Sequence, residues 1–416
     1  MTSAISRTHR LQRMVGRDPH EPHRAATPLE LLYDLTFVVA FGQAADQFAH
    51  LIAIGHTGAA VVGLCFATFA ICWAWINYSW FASAFDNDDW AFRLATMVQM
   101  IGVLIMALGL PSVFQSLEHG HEMNNDVTVA GYVIIRVAMI FLWLRAAKHN
   151  DTSRKTCHAY ALAIGIAQLG WLATIFLHAS IGSYLAMAAA LMLVELLGPW
   201  LAERTGGTTP WHAHHIAERY GLLAIIGLGE GVLGTVASLS AVVQTDGWSS
   251  DAILIAVAGT GLTFGMWWGY FLVPSADVLH LRRDRAWSWG YGHIPIFGAI
   301  AATGGGLHVA AYYIGHQYPL GAVTTVLAVA IPVAVFVYGM FAIHTVLVRV
   351  GDAFHLGLMT LTTLVLGASL LLAYAGVGMS TCLVVLMLAP IVPVVGYESI
   401  GHRHVRNALA RLEAGT

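Results

Sequence analysis

Two carboxylates one helical turn apart, Glu30 and Asp34, lie near the start of the apolar stretch TPLELLYDLTFVVAFGQAADQFAH. Two chemistries fit them. Glu30 follows Thr27 and Pro28 at the spacing of a helix N-terminus, where an acid satisfies backbone N–H groups and complements the dipole. It is read either as part of that cap or as an interior group. Asp34 lies a turn deeper on the same face. An ionisable side chain at such a place usually faces a bundle interior and marks a functional position. Further along, Thr36, Gln43, Gln47 and His50 recur at steps of seven, four and three, with Asp46 beside them. A stripe of this kind lines a hydrated cavity or a hydrogen-bonded seam between helices.

Other polar groups stand in apolar surroundings. Glu230 lies in HIAERYGLLAIIGLGEGVLG, flanked by Gly227, Gly231 and Gly234, which give a small-residue face for close packing. Arg136 and Glu195 each interrupt an apolar run. A buried arginine requires a partner, and the depths along their helices pair Arg136 with Glu230, with Glu195 as the competing partner. Asp34, Gln43, Asp46, Gln47, His50, Arg136, Glu195 and Glu230 are the candidate binding set. Asp86, Asp88 and Asp89 crowd one loop. They would hold a divalent ion through oxygen ligands or cap the next helix as solvated acids. The second half of the chain has no equivalent cluster, only Asp277 and Asp284 amid arginines. HAHH at 212–215 with Glu218, and HGHE at 119–122, are weaker metal candidates. Trp73, Asn77 and Trp80 share a helix face and read as an interfacial aromatic belt. The sequence holds no zincin motif, phosphate-binding loop, nucleophile elbow or dinucleotide fingerprint, so no catalytic residue is named and no cofactor is required beyond that divalent metal.

The elements that must hold these groups follow from composition. The chain has 416 residues, 57% hydrophobic and 10% charged, with mean hydropathy +0.68. Ordinary soluble proteins are about 25% charged, so this is a polytopic membrane protein in contact with a lipid bilayer. The net charge of -3 gives no basic surplus for nucleic acid. Cys65, Cys72, Cys157 and Cys382 show no paired spacing and read as free thiols. The arginine-rich N-terminus lacks the apolar core of a signal peptide and reads as a mostly disordered basic arm.

A bilayer-crossing helix needs about 20 apolar residues. Twelve such stretches occur, at roughly 29–53, 58–83, 92–115, 127–147, 157–177, 180–201, 216–243, 251–273, 288–314, 319–347, 355–376 and 380–401. With twelve spans and a cytoplasmic N-terminus, every Lys and Arg except Arg136 falls in an inner loop or tail. That asymmetry is what the positive-inside rule requires, and it puts both termini in the cytoplasm. YDLTFVVAFGQ superimposes on YGLLAIIGLGE at a constant offset that also carries Trp80 onto Trp267. Span one then meets span seven, which predicts two parallel six-helix repeats. The expected organisation is a basic arm at 1–27, repeats at 28–204 and 205–402, and a tail at 403–416, in an all-α integral membrane protein.

Five segments together carry a family resemblance: TPLELLYDLTFVVAF, WAWINYSWFASAFDNDD, RLATMVQMIGVLIMALGLP, ERYGLLAIIGLGEGVL and GHIPIFGAIAATGGG. The chain resembles the bacterial low-temperature-requirement protein A family. The resemblance implies a multi-spanning inner-membrane protein named for growth at low temperature, with no settled substrate. Tyr33 stands where phenylalanine is common in that family, and Gly231 where serine is common after the glutamate.

Three functions compete at this stage. A transporter or channel for a small polar or cationic solute uses the interior carboxylates and the polar stripe. A membrane-embedded enzyme acting on a lipid or isoprenoid uses a metal at Asp86, Asp88 and Asp89. A non-catalytic stress sensor needs no site and leaves the buried charges unexplained. The sequence leaves a homo-oligomer open.

Overall fold

A computed structural model describes residues 11–21, 24–120, 122–177, 179–348, 353–403 and 406. Among them the protein is all-helical, without strands. The helices are α1 (Pro28–Ala53), α2 (Thr57–Phe85), α3 (Trp90–His119), α4 (Asp126–His149), α5 (Arg154–Phe176), α6 (Ile181–Gly206), α7 (Ala213–Asp246) and α8 (Ser250–Phe271). After the short α9 (Ser275–Leu281) come α10 (Ala286–Ile314), α11 (Ala322–Val348) and α12 (Ala353–Tyr374). The last apolar stretch is broken into α13 (Met379–Met387), α14 (Ile391–Gly396) and a wide turn at Tyr397–Gly401. Eleven described stretches, α2 onward, are long and apolar enough to cross a bilayer. The 26-residue α1 is the remaining long helix; its acidic residues set it apart from the others by composition.

The chain forms two compact units that are not consecutive in sequence. One comprises Met1–Gln43 and Ala70–Arg219; the other comprises Ala44–Phe69 and Tyr220–Thr416. Helices α1, α2 and α7 contribute residues to both. In the first unit, α3 through α6 pack in sequence order, each against the next. The α3–α4 contact is close because Gly102 and Gly131 leave the backbones room: a methyl at Gly102 would lie 2.7 Å from the Ile135 side chain. In the second unit, α10 packs on α11, α11 on α12, and α8 on α13.

Lipid explains the outward faces. Leu104, Leu108, Val137, Phe141, Leu162 and Leu169 are exposed, as hydrocarbon-facing side chains should be. Over the first half of α1 the exposed large side chains are Leu31, Leu32, Leu35 and Val39, while Glu30, Tyr33, Asp34 and Phe37 are buried. The polar face of α1 therefore points into protein. Residues 71–86 of α2 are buried on every side, as expected of an apolar helix at the centre of a bundle.

The described part of the N-terminal arm is ordered, in contrast to the disorder expected from its composition. Arg145 donates to the Gln12 carbonyl at 2.9 Å, and Asn150 donates to the Met14 carbonyl at 2.6 Å. The Arg17 amide donates to the Ala84 carbonyl at 2.9 Å. Charge alone marks such a segment as solvated; these backbone bonds hold it down.

Candidate functional site

The first unit contains two buried ion-pair networks. One is built on the start of α1. Thr27 and Glu30 form a reciprocal capping box: the Thr27 amide donates to Glu30 Oε2 at 2.7 Å, and the Glu30 amide donates to Thr27 Oγ1 at 3.3 Å. Pro28 occupies the first helical position, where its missing N–H costs nothing. Glu30 is more than a cap. Its Oε1 lies 2.8 Å from Arg219 Nη1 and 3.1 Å from His215 Nε2. Asp34 pairs with Arg219 Nη2 and accepts the Trp75 indole N–H at 2.7 Å. The Arg219 guanidinium lies over the rings of Trp75 and Tyr78, at 5.5 and 5.7 Å, adding cation–π attraction. Tyr33 stacks on Tyr78 at 3.9 Å.

The second network corrects the expected pairing of Arg136 with Glu230. Arg136 Nη2 lies 2.5 Å from Glu195 Oε2. Glu195 also accepts the Trp73 indole at 2.9 Å, the Tyr132 hydroxyl at 2.9 Å and the Gln168 amide at 3.2 Å. Four donors from α2, α4 and α5 thus converge on one carboxylate of α6. Position along a helix left two partners at acceptable depth; the packing of α4, α5 and α6 selects Glu195. The Nε and Nη1 atoms of Arg136 are buried without a hydrogen-bond acceptor among the described residues.

Three tryptophans of the WAWINYSW motif each donate to a different buried carboxylate. Trp73 reaches Glu195 and Trp75 reaches Asp34; Trp80 donates to Glu203 at 3.2 Å. Glu203 also accepts from Thr209 at 2.6 Å and Tyr160 at 3.1 Å. The expected aromatic belt is therefore a set of buried donors. Trp73 and Trp80, two turns apart, share a side of α2, and Trp75 points the other way.

Asp86, Asp88 and Asp89 do not converge on a common point. Asp86 lies 3.5 Å from Arg24 Nη2. Asp88 pairs with exposed Arg93 at 2.7 Å. Asp89 pairs with Arg145 and caps α3, accepting the Phe92 amide at 3.0 Å. Each carboxylate pairs with an arginine, and among the described residues no group of three or more His, Cys, Asp or Glu could hold a metal ion. The cap alternative describes Asp89. His212 Nε2 donates to the Glu21 carbonyl at 2.9 Å, and His215 Nε2 lies 3.1 Å from Glu30, so these two rings of HAHH face different groups. Within HGHE, His121 lies outside the described residues.

Burial and the Glu30 charge push the Asp86 carboxyl up from its ordinary 3.8 to about 6, against the opposing pull of Arg24. Burial also pushes Asp89 upward, but the hydrogen bonds from Arg145, Gln12 and Phe92 outweigh it and hold the group below its ordinary value. A raised folded-state pKa stabilises the fold fully below the unfolded value, and that contribution is lost as pH rises through the folded value. We therefore expect the stability advantage of the wild type over Asp86→Asn to shrink between pH 4 and 6 and then level off, as read by thermal unfolding in detergent. A constant difference across that window would contradict the assignment.

In the second unit the site is sparser. Glu230, on α7, is buried. Its carboxylate makes no hydrogen bond or ion pair with any described residue. Asp46, on α1, is exposed, and its charge acts on Glu230, His308 and Tyr312. His50 lies 3.4 Å from the Tyr318 hydroxyl. Gln47 is half-buried, as is Gln43, which belongs to the first unit. The backbone of Glu230 is approached by α10 at its TGGG run: a methyl at Gly304 would lie 2.6 Å from the Glu230 carbonyl carbon. A methyl at Gly305 would lie 2.8 Å from the Ala45 carbonyl oxygen, and Gly306 abuts the Ala328 carbonyl. Three successive glycines thus let α10 meet α7, α1 and α11 at backbone distance.

Arg219, Trp75, Tyr132 and Gln168 escaped the sequence reading, while Trp73 was read as part of an aromatic belt and His215 as part of a metal candidate. The only signal for Arg219 was its place beside Glu218 at the start of an apolar helix, where an arginine is ordinarily solvated. The three aromatic residues gave no signal, because an indole or phenol at a membrane interface has the same sequence context as one bonded to a buried acid.

No solved structure matches the chain. A protein of Rhizobium meliloti (strain 1021), itself uncharacterized, is 25% identical over 314 residues, covering 72% of each chain. Residues 25–390 match the family described as bacterial low temperature requirement A protein (LtrA). That match spans both networks of the first unit, the Asp46–Glu230 pair and all but the last turns of the fold; the chain belongs to the bacterial low temperature requirement A protein family.

Proposed function

We propose that the protein is a transporter or channel for a small polar or cationic solute in the bacterial inner membrane, with both termini cytoplasmic and two parallel six-helix repeats. The observation that carries this reading is the unpartnered Glu230. A lone carboxylate at the centre of a membrane helix costs about 2.5–3.5 kcal/mol or more. The networks of the first unit show how this chain compensates buried acids, with Arg219 for Glu30 and Asp34, Arg136 for Glu195, and indole and hydroxyl donors for Glu203. Glu230 has no arginine, and its electrostatic neighbour Asp46 has the same sign. Two facing acids without a basic partner suit a cation or a proton, and the exposure of Asp46 supplies a route by which one arrives. The link to low temperature or stress rests on the family's name alone. We favour the transport reading over the lipid-acting metalloenzyme because Asp86, Asp88 and Asp89 each pair with an arginine.

The test is flux in proteoliposomes. Rubidium uptake and proton uptake, the latter with an entrapped pH dye, are measured for wild type, Glu230→Gln and Asp46→Asn. Either uptake in the wild type is expected to fall at least tenfold in Glu230→Gln and several-fold in Asp46→Asn, while exposed Asp88→Asn is unchanged. Wild-type flux in a folded Glu230→Gln protein would overturn the proposal.

A further inference from the structure

Glu230 stands at the foot of a ladder of proton-exchanging groups, all of them in the second unit. Close backbone contacts bring the three helices of the ladder together. A methyl at Gly304 of α10 would lie 2.6 Å from the Glu230 backbone on α7, and one at Gly305 would lie 2.8 Å from the Ala45 carbonyl of α1. Further along, the Ser238 hydroxyl donates to the Leu307 carbonyl at 2.7 Å and ties α7 to α10 again. His308 follows Leu307, and Asp46 follows Ala45. The Asp46 charge acts on both Glu230 and His308.

The next rung lies one turn on along each helix. On α1 it is His50, after Asp46; on α10 it is Tyr312, after His308. Tyr312 also feels the Asp46 charge, and its ring meets that of Tyr318 with centroids 5.3 Å apart. The Tyr318 hydroxyl lies 3.4 Å from His50 Nδ1. The groups therefore run from buried Glu230 toward the C-terminal ends of α1 and α10. Asp46 lies about 10 Å short of the end of α1, at 1.5 Å per residue, and is exposed. A carboxylate at that depth faces water, because contact with hydrocarbon would cost several kcal/mol. The other helices packed here direct titratable groups elsewhere. Asp251 of α8 takes the Ser380 hydroxyl, Tyr270 of α8 meets His293, Tyr338 of α11 bonds Thr363, and His344 of α11 stacks on His355.

The shape of this constellation distinguishes between ions. A metal cation, monovalent or divalent, needs several ligands round one point. Among the described residues no three His, Cys, Asp or Glu gather in that way. A proton needs one acceptor at a time, and carboxylates, imidazoles and phenols can each take one proton and pass one on. Groups strung along two helix faces at one-turn steps make a line, which suits a proton, and not a cage.

Resting on the transport reading, we infer that the ion served is the proton, and that this ladder is its path to Glu230 from the membrane face where α1 and α10 end. A hydronium ion gives its proton to the Asp46 carboxylate and leaves as water. The Asp46 carboxyl protonates one ring nitrogen of His308, and the other ring nitrogen releases its proton to Glu230, which becomes the neutral acid. The imidazole then flips to restore its first tautomer. His50, Tyr312 and Tyr318 exchange protons with Asp46 and water at the outer rungs. No electron moves, and no other reactant is needed.

Proteoliposomes with an entrapped pH dye test it, with rubidium uptake measured in parallel. The wild type is expected to take up protons and no rubidium. His308→Gln keeps a hydrogen-bonding side chain that cannot carry a proton. It is expected to lower proton uptake at least tenfold at an unchanged melting temperature. Imidazole added to the medium is expected to restore part of that loss, which it would not do for a merely structural residue. Tyr312→Phe, expected to lower uptake several-fold, serves should His308→Gln fail to fold. Undiminished proton uptake in a folded His308→Gln or Tyr312→Phe protein would overturn the ladder. Rubidium uptake without proton uptake in the wild type would overturn the choice of ion while leaving the transport reading intact, and uptake of neither ion would overturn both.

Discussion

Arg219→Met is expected to be the most destabilising single substitution in the first unit, costing about 3–5 kcal/mol, the usual result of removing one partner of a buried ion pair. Two features put it above other buried arginines. Arg219 serves both Glu30 and Asp34, so its loss takes the nearest guanidinium from two acids at once, leaving Glu30 with Arg24 at 3.8 Å and Asp34 with the Trp75 indole alone. In contrast, Glu195 keeps Trp73, Tyr132 and Gln168 as donors if Arg136 is removed. Thermal unfolding in detergent should therefore rank Arg219→Met below Arg136→Met, and both below wild type. Adding Glu30→Gln and Asp34→Asn to Arg219→Met should recover part of the loss, because neutral amides no longer need the guanidinium. Arg219→Met melting at the wild-type temperature would show that the network is not holding the unit together.

The second large effect is expected from a single methyl. Gly304→Ala places a carbon 2.6 Å from the Glu230 backbone, where no side-chain rotation can relieve the contact. Overpacking costs about 1–3 kcal/mol where side chains can yield, and two backbones cannot yield so cheaply. The α7–α10 crossing must open, carrying Glu230 with it, so both stability and flux should fall. Gly229→Ala is the matched control. It neighbours Glu230 in sequence, yet a methyl there meets nothing within 4 Å, and it should raise helix stability by up to about 1 kcal/mol. If the two variants behave alike, the close crossing is not what positions Glu230.

The helices were legible in the sequence because lipid leaves a long, simple record: a run of apolar residues ending in Gly, Pro, Asn or Asp. The cap of α1 was equally legible, since TPLE encodes its own local hydrogen bonds. Asp34 stood out by depth alone. What could not be read was partnership. Arg136 had two carboxylates at workable depth, and only the packing of α4 through α6 decides between them. Trp73, Trp75 and Trp80 look the same whether they lie at a lipid interface or donate to acids on other helices, 41 to 123 residues away. The acidic loop could also be read as a metal site, because the arginines that pair with Asp86 and Asp89 come from the N-terminal arm and α4. In each case the deciding contact is long-range, and a single sequence records the donor and the acceptor without recording that they meet.

The pairing of Asp34 with Arg219 also fixes an order in time. The two residues are separated by 185 positions. At about 5–20 residues per second of synthesis, the ribosome emits Arg219 roughly 10–40 s after Asp34. Throughout that interval α1 carries two acids, Glu30 and Asp34, whose shared Arg219 has not yet been made. A nascent α1 cannot settle into lipid with both ionised at no cost; it waits at the insertion machinery, or enters with its carboxyls protonated, until α7 emerges. Biogenesis of the first unit is thus completed by the first turns of a helix most of whose length belongs to the second.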